Sequence, residues 1–445
     1  MVALIAAAGF IFVRPQRGLL LLAALTPFNG MLIILPFPVP AWWKEALLLL
    51  TLAAAAYSSR RQMPARLNVP WWPAMAVLFV LGSASAVLTI GSLGWIPMKI
   101  TFCYLLAVVV LWLAPFTATD RDRLVTIIMA VGTLNAVWGI AQQLLGADAL
   151  VKLGYRYGQE IRLTGDMLRS FGTFNQPFGY GLFLMLTILV GLAVALADIH
   201  RRRNQIFLWL LPLLLAGMVV SVVRASYLGL LLGIIWIGVL RYRKALLGLG
   251  AALLVIVPAA LLVLPRSALN AVLSSESLST RADGWGVTWS LIIEHPLGAG
   301  LGSAGSAAQK IVTDALQLPD SLTSRIDGAM AYSMGLPYQP DNYYMKVLIE
   351  LGPLGLWFFL MFLVAALLST IKVARLAVAA ADSTLAVGVG AVLVAAAAAS
   401  FVSTYLEIFP MDFYTWLLLG AVGCIPLRRN VLDESNPHSR SLQAV

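Results

Sequence analysis

Apolar residues fall in long unbroken runs along most of this chain, with short polar stretches between them. A helix needs roughly 20 mainly apolar residues to cross a hydrocarbon core about 30 Å thick. Runs near that length occur at residues 18–39, 41–57, 71–90, 97–116, 124–146, 177–197, 206–223, 225–240, 245–264, 345–371, 384–405 and 410–427. They are too long and too continuous for the alternating strands of an outer-membrane barrel. The pattern therefore predicts an all-α fold, a polytopic transmembrane helical bundle of about 12 spans. Residues 1–13 form a further apolar run, too short to span alone, and read as a short extra helix. No basic stretch precedes that run and no small-residue cleavage site follows it, which argues against a signal peptide. No internal repeat stands out, which weighs against transporter folds built from two related halves.

Short loops rich in Lys and Arg set the orientation. They are Arg60-Arg61 with Arg66, Arg121 with Arg123, Arg201 to Arg203, Arg241 with Arg243 and Lys244, Lys372 with Arg375, and Arg428-Arg429. An even number of spans separates each from the next, so all fall on one side, the cytoplasm, together with the polar tail. The expected organisation is N-terminal membrane helices over 1–265 with an outer loop at 147–176. A large, partly helical outer loop follows over 266–340. Membrane helices resume over 341–427, and 428–445 form a cytoplasmic tail. Loops this long are usually functional or disordered, and the mix of Trp, Gly and Pro in 266–340 reads as folded.

Composition supports the membrane reading. Of 445 residues, 60% are apolar and 11% charged, against roughly 25% charged in an average soluble domain. Disorder is excluded, and a soluble enzyme fits poorly. The net charge of +10 first suggests nucleic acid. The cytoplasmic loops and tail, however, hold 18 basic against 6 acidic residues, and the outer loops are close to balance. The basicity therefore reports orientation, and no nucleic-acid partner is implied. Cys103 and Cys424 both lie in apolar runs, so neither a disulfide framework nor a Cys-type zinc site is indicated.

Four constellations map to the outer face. In Ser221-Val222-Val223-Arg224-Ala225-Ser226, a lone cation sits between two apolar runs. Such a charge is costly unless it snorkels or pairs, and it reads as an anion site at the membrane surface. Arg281, Trp285 and Trp289 recur every four residues and share a helix face, which suits an interfacial helix. They precede His295-Pro296-Leu297-Gly298-Ala299-Gly300-Leu301-Gly302, a run that reads as a turn needing positive φ or close backbone approach. No strand precedes that run, so a dinucleotide role is not supported. Asp341-Asn342 stands where the long loop re-enters the membrane, and Asp341 is readable as a helix N-cap or a general base. Lys346 and Glu350 are four apart and read as a pair. Arg169 to Pro177 (Arg-Ser-Phe-Gly-Thr-Phe-Asn-Gln-Pro) reads either as a substrate-holding stretch or as an ordinary turn. Asp120-Arg121-Asp122 has the spacing of a metal pair but reads as a solvated cytoplasmic loop starting a helix. No metal site remains on the outer face, so an anion there must be neutralised by arginine.

With these motifs in this order, the sequence resembles the O-antigen ligase and polymerase superfamily of bacterial membrane glycosyltransferases. The resemblance rests on Ser221 to Leu228 with its arginine, and on Arg281 with Trp285, Trp289 and the glycine turn. It also rests on Asp341-Asn342 with Gly352 and Gly355, and on the Gly-Thr-Phe-Asn stretch after Arg169. It implies a polyprenyl-pyrophosphate-linked glycan donor and a glycan or lipid-linked acceptor. Transfer would take place on the periplasmic side of the bacterial inner membrane, within the lipid bilayer, without metal or cofactor. It implies Arg224 and Arg281 stabilising the departing pyrophosphate and Asp341 taking the acceptor proton. Arg169, Asn175, Asn342, Trp285 and Gly300 would hold substrate. Ligases of this family carry a histidine before that Asn. Asp341 stands there instead, which moves the expectation toward a polymerase of O-antigen, capsule or exopolysaccharide repeat units. A ligase acting on lipid A-core, and a transporter or lipid-linked glycan flippase, remain the alternatives.

Overall fold

The structure is a computed structural model and describes residues 9–36, 39–60, 66–165, 167–243, 286, 288–316 and 340–428. The run at 245–264, Arg281, Trp285 and the tail beyond 428 lie outside the described residues.

The chain is mostly helical. Helix α1 (Gln16–Leu25) continues as a 3-10 stretch (Thr26–Ile34), and α2 (Trp43–Ser59) returns. Next come α3 (Trp72–Ile90), α4 (Trp95–Phe102) and α5 (Leu106–Leu113), joined by 3-10 segments at Gly91–Gly94 and Cys103–Leu105. Helix α6 (Ala118–Lys152) leads into a hairpin of β1 (Arg162–Thr164) and β2 (Met167–Arg169). Then follow α7 (Pro177–Ala197), α8 (Arg202–Val219), α9 (Arg224–Arg241) and α10 (Gly305–Leu316). The chain closes with α11 (Tyr343–Leu376), α12 (Ala380–Ala399) and α13 (Met411–Gly423).

Every predicted apolar run among the described residues is helical, but the count of about twelve spans is not reproduced. Among the described residues, seven helical segments are long and apolar enough to cross a membrane. The runs at 71–90 and 97–116 merge into one segment, Trp72–Leu113. Helix α2 has 17 residues and α13 only 13. Helix α8 opens on Arg202-Arg203, which lowers its apolar character. Helix α13 is short because residues 400–410 dip into the bundle, where Tyr405 and Met411 are fully buried. Irregular backbone at such depth is tolerated where protein encloses it.

The core is built on α7 and α12. Helix α7 is buried on nearly every face. Helix α12 is rich in Ala, Gly and Val, and small residues let helices approach closely. It packs on α7, α9 and α11. The helices run alternately up and down, and named contacts fix both ends.

At one end, Arg14 pairs with Asp120 at 2.9 Å and Arg201 with Asp122 at 2.7 Å. Arg121 donates twice to Asp382, each bond 2.7 Å. Asp120 and Thr117 form a capping box at the start of α6. The solvated loop expected at Asp120-Arg121-Asp122 is therefore corrected. It is the first turn of a helix, with Asp120 and Arg121 buried and each charge tied to a different element. At the other end stand the hairpin, the starts of α2, α7, α9, α11 and α13, and those residues singled out for chemistry that lie among the described ones.

Candidate active site

The arginine turn is assembled on α6. Gln142 Oε1 accepts the Phe171 and Gly172 N–H groups at 3.0 and 2.9 Å, and its Nε2 donates to the Gly172 carbonyl at 2.8 Å. Asn135 Oδ1 accepts both the N–H and the hydroxyl of Thr173, at 3.1 and 2.6 Å. Gln143 donates to the Leu168 carbonyl at 2.6 Å. Three amides of one helix, Asn135 and, two turns on, Gln142 and Gln143, thus replace the hydrogen bonds that the 168–173 backbone has lost to irregular structure. A small apolar core of Leu150, Tyr155, Ile161, Leu168 and Phe171 seats the hairpin.

The hairpin register sets Arg162 directly opposite Arg169. Like charges at that position repel. Arg169 Nε donates to the Ser221 carbonyl at 3.4 Å, and its guanidinium lies 5.1 Å from the Phe178 ring centre. Ser170 N–H bonds the Val220 carbonyl at 2.9 Å, so β2 is tied to the turn before α9. In that turn Val222 has φ of 53°, the one positive φ at a non-glycine position among the described residues. For a β-branched residue this is an outlier, costing on the order of 1–3 kcal/mol. Ser221 holds it, its Oγ accepting Val223 N–H at 3.3 Å and donating to the Met218 carbonyl at 2.6 Å.

The strained turn delivers Arg224 to the first position of α9, where the helix dipole disfavours a cation. Burial first, then the charges of Arg162 and Arg224, push the Arg169 pKa down to about 10. Arg162 is thus paired with Arg169 across the hairpin and the charge of Arg224 acts on Arg169 as well, an accumulation of positive charge that favours an anion.

Asp341 and Asn342 stand at the same end. The α11 N-cap is Asn342, whose Oδ1 accepts Tyr344 and Met345 N–H at 2.9 and 3.2 Å. The capping role considered for Asp341 therefore belongs to its neighbour, and Asp341 is exposed just outside the helix. Tyr343 N–H bonds the Ser400 carbonyl at 2.8 Å, and Gly229 of α9 packs beside Ala395. One end of α12 thus touches both the Asp341 and the Arg224 elements. Asn175 is exposed and accepts from Asn29 at 3.2 Å. Asn29 in turn accepts from Trp43 Nε1 at 3.1 Å.

Gly298, Gly300 and Gly302 all have φ between 94° and 98°, as their spacing suggested. They dock on a kink in α11. Gly352 there has φ of 65°, and Pro353 has no N–H for the Ile349 carbonyl. Ala299 N–H bonds that carbonyl at 2.8 Å, and Gly300 N–H bonds the Glu350 carbonyl at 2.9 Å. Trp289, half exposed, is the described member of the Arg281–Trp285–Trp289 face.

Two features were not foreseen. Arg162 lies outside the four constellations, although two short runs flanking Gly165-Asp166 carry a hairpin signal. The expected Lys346–Glu350 pair forms, but it has a third member. Lys346 Nζ also lies 3.0 Å from Glu407 Oε1, and all three side chains are buried. Glu350 Oε1 accepts Gly302 N–H at 2.9 Å. Glu407 comes from the inward-dipping segment, which no pattern of apolar residues marks. Among the described residues no group of His, Cys, Asp and Glu is arranged to hold a metal ion.

The fold and this site together define a multi-pass helical membrane protein with a cationic centre at one end of its bundle. Residues 209–360 match the family model described as O-antigen ligase. That bears out the resemblance to the O-antigen ligase and polymerase superfamily, and it supports a membrane glycosyltransferase of that type. The matched stretch includes Arg224, the glycine turn and Asp341, and it leaves out the hairpin. No curated protein matches the chain.

Proposed function

We propose that this protein is a metal-independent, inverting glycosyltransferase of the periplasmic face of a bacterial inner membrane. It joins repeat units of a polysaccharide carried on polyprenyl pyrophosphate, and its C-terminus is cytoplasmic. The observation that carries this reading is the positive charge at Arg169, which faces Arg162 across the hairpin, feels the charge of Arg224 and bonds the Ser221 carbonyl of the strained turn.

In the proposed step, the acceptor hydroxyl attacks the anomeric carbon of the donor sugar. A new C–O bond forms as the bond to pyrophosphate breaks, and the configuration inverts. Asp341 takes the hydroxyl proton. The leaving polyprenyl pyrophosphate keeps the bonding electrons, and its developing charge falls to Arg224 and Arg169, with Arg281 as the further candidate. Asn175, Asn342, Trp285 and Gly300 are proposed to line the substrate path. Asn342 and Gly300 do so through backbone placement, since the side chain of one caps α11 and the other packs on Thr89.

The test is turnover of lipid-linked repeat units by the reconstituted protein. Arg224→Ala and Arg169→Ala should each lower it by about 10²–10³. Asp341→Asn should abolish base catalysis while leaving the helix intact. Full turnover in all three variants would sink the proposal.

A ligase is the second reading, favoured by the description of the matched family. A deletion strain separates the two. Single repeat units attached to acceptor indicate a polymerase, and unattached polymer on the lipid carrier indicates a ligase. A flippase needs charged groups lining a path. Lys346, Glu350 and Glu407 are closed on one another and offer none.

A further inference from the structure

A second polar centre lies at the same end of the bundle, away from the arginine turn. Lys44 sits in the first turn of α2, where the helix dipole disfavours a cation. Its Nζ lies 3.9 Å from the centre of the Phe409 ring. Among the described residues its ammonium makes no hydrogen bond and no ion pair. Each neighbouring carboxylate has one oxygen engaged elsewhere. Glu45 pairs with Lys99 at 2.9 Å. Asp412 is buried, and its Oδ1 accepts Phe413 N–H at 2.7 Å. The charges of Glu45, Asp412, Lys99 and Lys310 all act on Lys44. Lys99 and Lys310 thus add their charge to that of Lys44 near two carboxylates, and among the described residues the Lys44 ammonium has no hydrogen-bond acceptor. A desolvated ammonium in that state is costly, and an incoming anionic group relieves the cost.

The surroundings suit a sugar. The indole of Trp43 precedes Lys44 and bonds Asn29, which is joined to Asn175. Asn175 lies six residues along the same fixed segment from Arg169. A glycan whose pyrophosphate rests on the arginines therefore has amides, an aromatic ring and an ammonium along its path. Aromatic faces meet the C–H faces of pyranose rings, and amides and charged groups meet their hydroxyls. We propose that Lys44, Asn29, Asn175 and Phe409 form a sugar subsite that takes an acidic pyranose, with its carboxylate on Lys44. This deepens the glycosyltransferase reading and rests on it.

The test is binding to the full-length protein in nanodiscs, in two arms. One arm compares methyl β-D-glucuronide with methyl β-D-glucoside, mimicking an acceptor. The other compares the corresponding sugars on a short alkyl diphosphate, mimicking a donor. In at least one arm the acidic sugar should bind roughly ten-fold tighter, as expected of a hydrogen bond to a charged group. Lys44→Gln should erase that preference and Lys44→Arg should keep it. A preference confined to the first arm assigns the subsite to the acceptor. A preference seen with the diphosphate-linked sugars assigns it to the donor. Equal binding of acidic and neutral sugars in both arms, or a preference that survives Lys44→Gln, overturns the proposal. Pyrophosphate binding is measured on the same preparations. If it depends on Arg169 while the sugar preference fails, the subsite alone falls and the glycosyltransferase reading stands.

Discussion

Arg169 is a cation held where burial and two like charges resist it. Its lowered pKa fixes the sign of a pH effect. An anion binds the protonated form, so the Arg169 contribution to affinity should be complete at neutral pH and be lost as pH climbs past about 10. Titration of pyrophosphate against the nanodisc-bound protein across that range checks this. An unchanged affinity at high pH would remove Arg169 from the site. The same chemistry explains why Arg169 was legible in the sequence and Arg162 was not. Arg169 belongs to a Gly-Thr-Phe-Asn stretch with recognisable turn residues. Arg162 acquires meaning only from the hairpin register that sets it opposite Arg169. At the other candidate, residue type pointed to Asp341 as a cap, but cap geometry depends on position. Only the residue immediately before the helix can reach the first free N–H groups. Asn342→Ala should therefore cost about 1 kcal/mol in thermal melts.

Among the elements, α11 shows how a break in one helix becomes a docking site for a loop. The apolar run at 345–371 gave the helix, and Gly352-Pro353 marked the break. The partner of the break was readable only as a glycine run needing unusual backbone angles. What the run binds depends on the two carbonyls that the kink exposes. At Gly298 a Cβ would stand 2.6 Å from the Glu350 carbonyl oxygen, and φ there is 96°. Gly298→Ala should therefore release the 298–302 turn while leaving the bundle folded. Limited proteolysis after 302 should become faster with no change in melting temperature. Equal cleavage of variant and parent would show that the turn is held by other contacts. Lys346, Glu350 and Glu407 reinforce the dock from below. Ser306 N–H, in the first turn of α10, bonds Glu407 at 3.4 Å.

For the whole molecule, the apolar pattern located the helices better than it counted the spans. Length and hydropathy do not reveal that 3-10 segments interrupt Trp72–Leu113, or that residues 400–410 fold inward and shorten α13. The loops at the Arg121 end differ from their sequence pattern for a related reason. A run of charges reads as solvated until the fold brings its partners from far along the chain. Arg121 and Asp382 are 261 residues apart and both are buried. Breaking one side of such a pair typically costs about 3–5 kcal/mol, whereas replacing both by apolar groups is often neutral. Asp382→Leu should thus destabilise the detergent-solubilised protein far more than the double variant Arg121→Met with Asp382→Leu.

Orientation is a separate matter, because the helix contacts fix which ends meet but not which end faces outward. The excess of basic residues at the Arg121 end supplies the direction. A protein with Cys103 and Cys424 replaced, and a single cysteine placed at Leu163 in the hairpin, should react with a membrane-impermeant maleimide on intact cells. A cysteine placed instead at Ser439, in the polar tail, should react only after permeabilisation. Leu163 is exposed, and neither position lies in an apolar run, so the labels report sidedness alone. The reverse pattern would put the arginine centre on the cytoplasmic side, away from periplasmic lipid-linked glycans, and the proposed function would fall with it.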